Sequence, residues 1–260
     1  MSAFSPQKSL GQHWLNDPTS LSAIVYIADI GPDELVLEIG PGPGGLTEKL
    51  LGRAREVLAV ELDAKLALNL PKRFPTPKLR VFCQDILSFD FSQLPPDYKV
   101  VANIPYYLTA KLIRMLSESP NQPLKCVLLI QKEVALRATA EPGQMSLLSV
   151  TAQYFWQVSS GPIIKAQNFT PPPKVDSQVL ILDRRPQALF ADIDTKIFFR
   201  IVRAGFSQRR KTLLNSLSAG LSLSREVVQA QLHKANIKPN IRAQSLSLKD
   251  WHHLYIVFTN

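Results

Sequence analysis

Apolar runs and helix-spaced apolar positions alternate along the first 183 residues. The runs predict strands near residues 35–40, 57–61, 79–83, 98–102 and 124–131. Between them, apolar residues recur at helical spacing and predict helices near 45–52, 64–73 and 108–118. Strands that alternate with helices are typical of a parallel, doubly wound sheet with right-handed crossovers. The pattern therefore predicts a fold of the α/β class.

The chain after residue 131 completes this sheet and then changes character. Helices are predicted near 132–139 and 145–153, followed by strands near 154–158 and 175–183 that finish a mostly parallel, seven-stranded sheet as an antiparallel pair. Beyond Arg184-Arg185-Pro186 the strand signals end, and only helical spacing remains. The predicted parts are a lead-in segment over 1–17, an α/β domain over 18–183 and a small all-α domain over 187–260.

Charge is distributed unevenly along the 260 residues. Residues 1–182 contain 17 Lys and Arg against 16 Asp and Glu, a net +1, whereas residues 183–260 contain 13 against 5, a net +8. The excess positive charge of the chain is therefore a property of its C-terminal third. Such a domain suits a phosphate backbone, although basic faces also occur on proteins that bind no nucleic acid.

The composition also narrows the class of protein. No apolar stretch approaches the roughly 20 residues that a membrane span needs, and the N-terminal residues carry no apolar export signal. We therefore expect a soluble, cytoplasmic protein without a membrane partner. Cys83 and Cys126 lie in apolar runs and are interpreted as two reduced core thiols, and no metal-ligand spacing is present.

A glycine-rich turn follows the first strand, in Val36-Leu37-Glu38-Ile39-Gly40-Pro41-Gly42-Pro43-Gly44-Gly45. Glycines let backbone N–H groups approach a ligand, because no Cβ holds it off. Gly40, Gly42 and Gly45 fit the dinucleotide pattern, so the turn predicts a nucleoside cofactor without separating NAD from S-adenosylmethionine (SAM).

Two acidic residues end the next two strands. Glu61 lies about twenty residues after Gly40, where a carboxylate binds ribose hydroxyls in either type of cofactor site. Asp85 ends the third strand and can accept from an adenine amino group, while Ile86 can donate its backbone N–H to a ring nitrogen. This combination favours SAM. Taken alone, each carboxylate is as typical of a solvated strand end or a helix cap as it is of a cofactor site.

The fourth strand ends in Asn103-Ile104-Pro105-Tyr106, the most specific stretch of the chain. An exocyclic adenine amine is a poor nucleophile because its lone pair is delocalised into the ring. The Asn103 side-chain oxygen and the Ile104 carbonyl can accept its two hydrogens and draw the nitrogen toward tetrahedral geometry. Pro105 makes the turn rigid, and Tyr106 can stack on the base. An ordinary turn after a strand is the alternative.

A triple proline lies in Phe169-Thr170-Pro171-Pro172-Pro173-Lys174-Val175-Asp176-Ser177. The prolines predict a stiff, extended segment that holds Phe169 over a cleft as the second face of an aromatic clamp. The alternative is a rigid loop that caps the sheet, with Phe169 in the core.

The C-terminal third contains its own candidate site. Arg203, Arg209, Arg210 and Lys211 lie within nine positions, next to a helical apolar face. On RNA, these side chains would neutralise phosphates without reading the sequence. A solvated helix is the alternative.

With these stretches in view, the chain resembles the KsgA-type family of ribosomal RNA adenine N6-dimethyltransferases almost from end to end. The matching stretches are residues 11–17, 38–42, 60–63, 84–85, 103–106, 131–137, 169–177 and 206–213. The resemblance implies a Rossmann-like, class I SAM-dependent methyltransferase whose lead-in closes on the cofactor site. Where the family often has Asn-Phe, this chain has His13-Trp14.

The resemblance also implies roles for individual residues. It places His13, Leu15, Gly40, Glu61, Asp85 and Asn103 around SAM, and Asn103, Ile104, Tyr106 and Phe169 around the target base. The implied substrate is two adjacent adenosines near the 3′ end of small-subunit (16S) rRNA, in an immature 30S subunit, with the helical domain docking on rRNA. We expect a monomer without a metal.

Three alternatives differ in substrate or class. A resistance-type methyltransferase of large-subunit rRNA shares the glycine turn and the asparagine turn. A non-catalytic ribosome-assembly or RNA-binding factor would need neither. An NAD-dependent dehydrogenase would have no use for Asp85 or the asparagine turn.

Overall fold

The structure is a computed structural model that describes residues 5–7 and 10–260. Residues 1–4 and 8–9 of the expected lead-in lie outside the described part. The chain divides into two compact units. The first comprises the described residues up to Ala135 together with Gln157–Arg184, and the second comprises Leu136–Trp156 and Arg185–Asn260.

The first unit is built on a seven-stranded sheet. Its strands are β2 (Leu35–Ile39), β3 (Glu56–Glu61), β4 (Leu79–Cys83), β5 (Lys99–Asn103), β6 (Lys125–Gln131), β7 (Trp156–Ile164) and β9 (Ser177–Arg184). The helices along them are α1 (Pro18–Ala28), α2 (Gly45–Leu51), α3 (Ala64–Arg73), α4 (Thr109–Glu118) and α5 (Lys132–Ala138). A short ribbon pairs β1 (Trp14–Leu15) with β8 (Phe169–Thr170).

The order of the strands, β4-β3-β2-β5-β6-β9-β7, places a topological switch beside β2. From β2 the chain moves outward through β3 and β4 and then returns to the other side as β5, with parallel pairing throughout. Loops at the carboxyl ends of β2 and β5 therefore diverge, and such a point opens the crevice in which doubly wound sheets bind ligands. β6 and β9 pair antiparallel.

The predicted fold class, a doubly wound and mostly parallel seven-stranded sheet with a helical C-terminal part, is confirmed. Strands β2, β5 and β6 are buried over most of their length, which explains why they read as continuous apolar runs.

The predicted limits of one strand are wrong. α6 (Leu147–Phe155) extends to residue 155, so β7 begins at Trp156, and β7 continues to Ile164 rather than 158. β7 is the last strand in the sheet order, and most of its residues between Gln157 and Ile163 face solvent or lie partly exposed. Polar residues, Gly161 and Pro162 are tolerated there because an edge strand forms backbone hydrogen bonds with a neighbouring strand on one side only.

The two cysteines have different surroundings. Cys126 is fully buried in β6, as expected for a core thiol, and burial raises its pKa. Cys83, at the end of β4, is exposed, so its interpretation as a core thiol is wrong. Both are free. β4 is an edge strand whose residues are all exposed or partly exposed, and an apolar composition alone does not distinguish it from a central strand.

The second unit is helical. It contains α6 and then α7 (Thr195–Phe206), α8 (Leu213–Leu221), α9 (Arg225–Lys234) and α10 (Leu248–Thr259). Its core includes Met145, Val150 and Tyr154 from before β7, packed with residues such as Phe198 and Trp251. The segment 136–156 thus shares a core with the C-terminal helices. The expected domain boundaries at residues 183 and 187 stay a prediction. No helix in the described part of the chain is long and apolar enough to cross a membrane.

Candidate functional site

A cavity opens at the carboxyl ends of β2, β3, β4 and β5, in the first unit. Its wall brings together most of the residues that the sequence singled out: His13, Leu15, Gly40, Gly42, Glu61, Asp85, Ile86, Asn103, Ile104, Pro105 and Tyr106. These residues come from five separate stretches of sequence. The topological switch therefore places the predicted cofactor and adenine groups around one cavity.

The glycine turn is shaped for close approach. Gly40, Gly42 and Gly44 have φ values of 66°, 56° and 90°, in the left-handed region that residues with a Cβ rarely adopt. A Cβ at Gly42 would lie 3.3 Å from the indole of Trp14, and one at Gly44 would lie 2.6 Å from the ring of Phe74. The turn can follow this path only with glycines at these positions.

Glu61 ends β3 and holds the glycine turn. One oxygen accepts from the Gly42 N–H (3.0 Å), and the other accepts from the Asp63 N–H (2.9 Å). The side chain is buried, and burial raises its pKa. A carboxylate has more lone pairs than these two bonds use. Glu61 is therefore placed to accept further hydrogen bonds from a ligand on the cavity wall.

Glu38 also lines the cavity, and the sequence reasoning did not name it as a site residue. It is 1% exposed, and Thr47 offers its hydroxyl and backbone N–H to the carboxyl group. Burial outweighs these contacts and raises the pKa of Glu38 to about 8. A carboxyl group inside the otherwise apolar strand Leu35–Ile39 was the available signal, because carboxyls are rarely buried without a function.

Asp85 and Ile86 follow β4 on the cavity wall. One oxygen of Asp85 accepts from the Leu87 N–H (2.9 Å) and caps a short 3-10 turn, Ile86–Ser88. The alternative interpretation as a helix cap is therefore correct for that oxygen. The second oxygen is not used by this cap, so Asp85 can cap the turn and accept from a ligand at once.

Asn103 ends β5 with its side chain fixed. The amide Nδ2 donates to the backbone carbonyl of His13 (2.9 Å). A carbonyl oxygen only accepts, so this bond sets which end of the amide faces the lead-in. The Asn103 Oδ1 and the Ile104 carbonyl accept no hydrogen bond from the described residues. Two neighbouring acceptors are thus left for a ligand.

Tyr106 and His13 lie against each other beyond Asn103. Their ring centroids are 5.8 Å apart, with an angle of 20° between the planes. The Tyr106 hydroxyl shares a hydrogen bond with the Ser177 hydroxyl (2.8 Å), and burial raises the Tyr106 pKa. His13 Nδ1 lies 2.7 Å from the Pro171 carbonyl and must carry the proton. His13 therefore links the asparagine turn to the triple-proline segment.

The expected position of Phe169 over the target base stays a prediction, and in this structure Phe169 is not on the cavity wall. It is 3% exposed, pairs with Leu15 in the β1–β8 ribbon and packs in the core of the first unit. The direction of Phe169 depends on its pairing with Leu15 in a ribbon that the sequence pattern did not reveal. Stacking of Phe169 on a base would require this ribbon to open.

The basic stretch lies in the second unit. Arg203 is in the last turn of α7, and Arg209, Arg210 and Lys211 lie in the segment between α7 and α8. All four side chains are exposed, and none forms an ion pair within the described residues. Their charges are thus free to meet a phosphate backbone.

Among the described residues no group of three or more His, Cys, Asp or Glu side chains could hold a metal ion.

The fold and the cavity together define the class of this protein, a Rossmann-like domain with a cavity at its topological switch, the place where such sheets bind ligands. A family model, Ribosomal RNA adenine dimethylase, matches residues 3–260. The chain belongs to this family and is an rRNA adenine dimethyltransferase. Membership excludes the dehydrogenase alternative.

Individual relatives agree with this assignment. A ribosomal RNA small subunit methyltransferase A of Dehalococcoides mccartyi is 39% identical over 257 residues, which cover 97% of this chain and 88% of the relative. A dimethyladenosine transferase structure from Plasmodium falciparum has a TM-score of 0.80 at 27% identity, and covers 95% of this chain and 98% of that one. The structure of the 23S rRNA methyltransferase ErmE has a TM-score of 0.75 at 27% identity, and covers 95% and 100%.

Proposed function

We propose that this chain uses SAM to dimethylate N6 of two adjacent adenosines near the 3′ end of small-subunit rRNA, in an immature 30S particle. The observation that carries the proposal is the hydrogen bond from Asn103 Nδ2 to the His13 carbonyl. It leaves the Asn103 Oδ1 and the Ile104 carbonyl as a pair of acceptors beside the cofactor cavity. The small-subunit methyltransferases with which this chain aligns support the choice of substrate.

The cavity residues fit SAM. Asp85 and the Ile86 N–H suit the adenine, Glu61 suits the ribose hydroxyls, and the turn at Gly40 and Gly42 gives room for the backbone to approach. The buried Glu38 carboxyl group and Trp14 Nε1, which has no partner among the described residues, suit a ligand with both ammonium and carboxylate groups. When bound, SAM supplies a methyl group on a positively charged sulfur.

The protein's contribution to the reaction is mainly positioning. Before the first methyl transfer, Asn103 Oδ1 and the Ile104 carbonyl accept the two N6 hydrogens and hold the nitrogen lone pair toward the methyl group. The methylated nitrogen gives up one proton to solvent, and one of the two acceptors then holds the single remaining N6 hydrogen for the second transfer. Tyr106 gives the base an aromatic face, and its hydroxyl bond to Ser177 fixes the ring. The target must leave its stack to reach this cavity, which costs a few kcal/mol. Preorganised acceptors and stacking offset that energy.

The helical unit supplies the expected RNA contacts. Arg203, Arg209, Arg210 and Lys211 are exposed and unpaired within the described residues. Phosphate contacts of this kind position a duplex without reading its sequence.

Methylation of large-subunit rRNA is the second candidate. The similarity to the structure of ErmE, which is a 23S rRNA methyltransferase, favours it. A direct assay separates the two candidates. Small and large ribosomal subunits from cells that lack this gene are incubated with the protein and labelled SAM, and methylated adenosines are mapped by mass spectrometry.

We expect dimethyladenosine only in small-subunit rRNA, at two adjacent positions. Label confined to the large subunit would overturn the assignment in favour of the second candidate. Label in neither subunit would contradict both.

A further inference from the structure

Tyr107 stands at the rim of the cavity, in contrast to the neighbouring Tyr106. Tyr106 is half-buried and bonded to Ser177, whereas Tyr107 is 66% exposed and still lines the cavity. No step of the proposed reaction uses it. A large aromatic surface open to water at the mouth of a ligand site is a typical contact for a binding partner.

The Tyr107 ring is held in place. Gly11, with φ at +62°, lies so close that a Cβ there would be 3.4 Å from Cε1 and 3.5 Å from Cδ1 of Tyr107. The lead-in backbone at Gly11 thus lies against one side of the ring, while most of the side chain stays open to water. A ring restricted on one side loses less entropy than a free one when a partner stacks on it.

A free positive charge lies one helical turn further along. Lys111 is exposed in the first turn of α4 and forms no ion pair within the described residues, whereas Arg114 on the same helix pairs with Glu118 at 2.9 Å. Tyr107 lies in the 3-10 turn Tyr106–Leu108, which leads directly into α4, so Lys111 follows it by about one turn of chain. An exposed aromatic ring followed one turn later by an unpaired cation matches a base and its phosphate.

We propose that Tyr107 and Lys111 form a rim that binds the nucleotide next to the target adenosine, with Tyr107 stacked on its base and Lys111 paired with its phosphate. The proposal rests on the proposed function. Extrusion of the target removes a stacking neighbour from the adjacent base, and the Tyr107 ring replaces that neighbour. Single-stranded RNA is bound in this way, by stacking on aromatic side chains and by phosphate contacts.

Three variants test the stacking. Tyr107→Ala should lower kcat/KM for unmethylated small ribosomal subunits about tenfold, mainly through KM, because base stacking contributes energies of that order. Tyr107→Phe keeps the ring and should stay within about twofold of wild type. Tyr26→Ala removes a tyrosine that is 82% exposed and does not line the cavity, and should have no effect. Calorimetric titration with SAM should give the same Kd for all four proteins.

Lys111→Ala gives a second measurement. It should weaken binding of the subunits and lower the slope of log affinity against log salt by about one. An unchanged kcat/KM in Tyr107→Ala would overturn the proposal. So would an equal loss in Tyr107→Phe, or a loss of SAM affinity, which indicates a structural role. Failure of the wild-type protein to methylate either subunit would instead contradict the proposed function.

Discussion

The side-chain amide of Asn103 donates to the backbone carbonyl of His13 across 2.9 Å, although 90 positions separate the two residues. This bond joins the end of β5 to the lead-in segment. It turns Nδ2 toward His13 and so presents Oδ1 as an acceptor. The lead-in thus determines the orientation of the group on which the proposed chemistry depends.

Asn103→Ala removes that acceptor while leaving the cavity walls in place. We expect methyl transfer to rRNA to fall by about 10²- to 10³-fold, as for the loss of other preorganised polar groups. SAM binding, measured by calorimetric titration, should be retained, because the other predicted cofactor contacts come from β3, β4, the glycine turn and the lead-in residues His13 and Leu15. Normal turnover by this variant would refute the role of Asn103.

Asn103→Asp is the matched variant that tests whether the bond to His13 orients the side chain at position 103. It keeps an acceptor oxygen but has no N–H to donate, and it places a carboxylate oxygen against the His13 carbonyl. We expect both methyl transfer and the free energy of unfolding to decrease. If Asn103→Asp matched wild type in both measurements, the bond to His13 would have no orienting role.

Gly44→Ala tests whether the glycine turn needs its glycines for shape. The residue has φ at +90°, and an added Cβ would lie 2.6 Å from Phe74 and 3.0 Å from Leu70. Strain and overpacking together should lower the free energy of unfolding by about 2–4 kcal/mol. Chemical denaturation measures this loss.

Gly143→Ala is the control for backbone strain alone. Gly143 has φ at +107°, but nothing lies within 4 Å of its added Cβ. The decrease in the free energy of unfolding for Gly143→Ala should be smaller than that for Gly44→Ala by about 1 kcal/mol or more. Equal losses would mean that the contact with Phe74 relaxes freely.

Of all parts of the fold, the strands buried on both faces could be predicted best from the sequence. A central parallel strand such as β2 is apolar at nearly every position, with Glu38 as the exception, so its composition reveals it. The edge strand β7 has no such requirement and resembles a loop. The site was predictable where it follows strand ends, as with Glu61 and Asp85. Phe169 was not, because its direction depends on the two-residue ribbon with Leu15.

Glu38 makes the stability of the protein depend on pH. Burial raises its pKa from 4.5 to about 8. Between these values the unfolded chain has released the proton that the folded chain still holds, so rising pH favours unfolding. The contribution of Glu38 to stability should therefore decrease from about pH 4.5 to 8, by an amount on the order of a few kcal/mol.

Glu38→Gln removes this titration. The free energy of unfolding of wild type minus that of Glu38→Gln should fall steadily as pH rises through this window, in denaturant titrations at several pH values. Glu141→Gln, at an exposed position, controls for the loss of a carboxyl group elsewhere. A difference between wild type and Glu38→Gln that stays constant with pH would show that Glu38 is not buried in its neutral form.

The basic stretch should act through phosphate neutralisation. Replacing Arg209, Arg210 and Lys211 together by Ala should weaken binding to small-subunit rRNA. The slope of log affinity against log salt should become shallower by about two to three, since each lost phosphate contact contributes close to one.

The control removes three exposed cations near the amino-terminal edge of the sheet, Arg55, Lys72 and Lys78. Binding measured from low to moderate salt should show a change of slope only for the first variant. Equal changes of slope in both variants would show that only the net charge of the protein matters. No change of slope in either variant would show that RNA binds to a different surface.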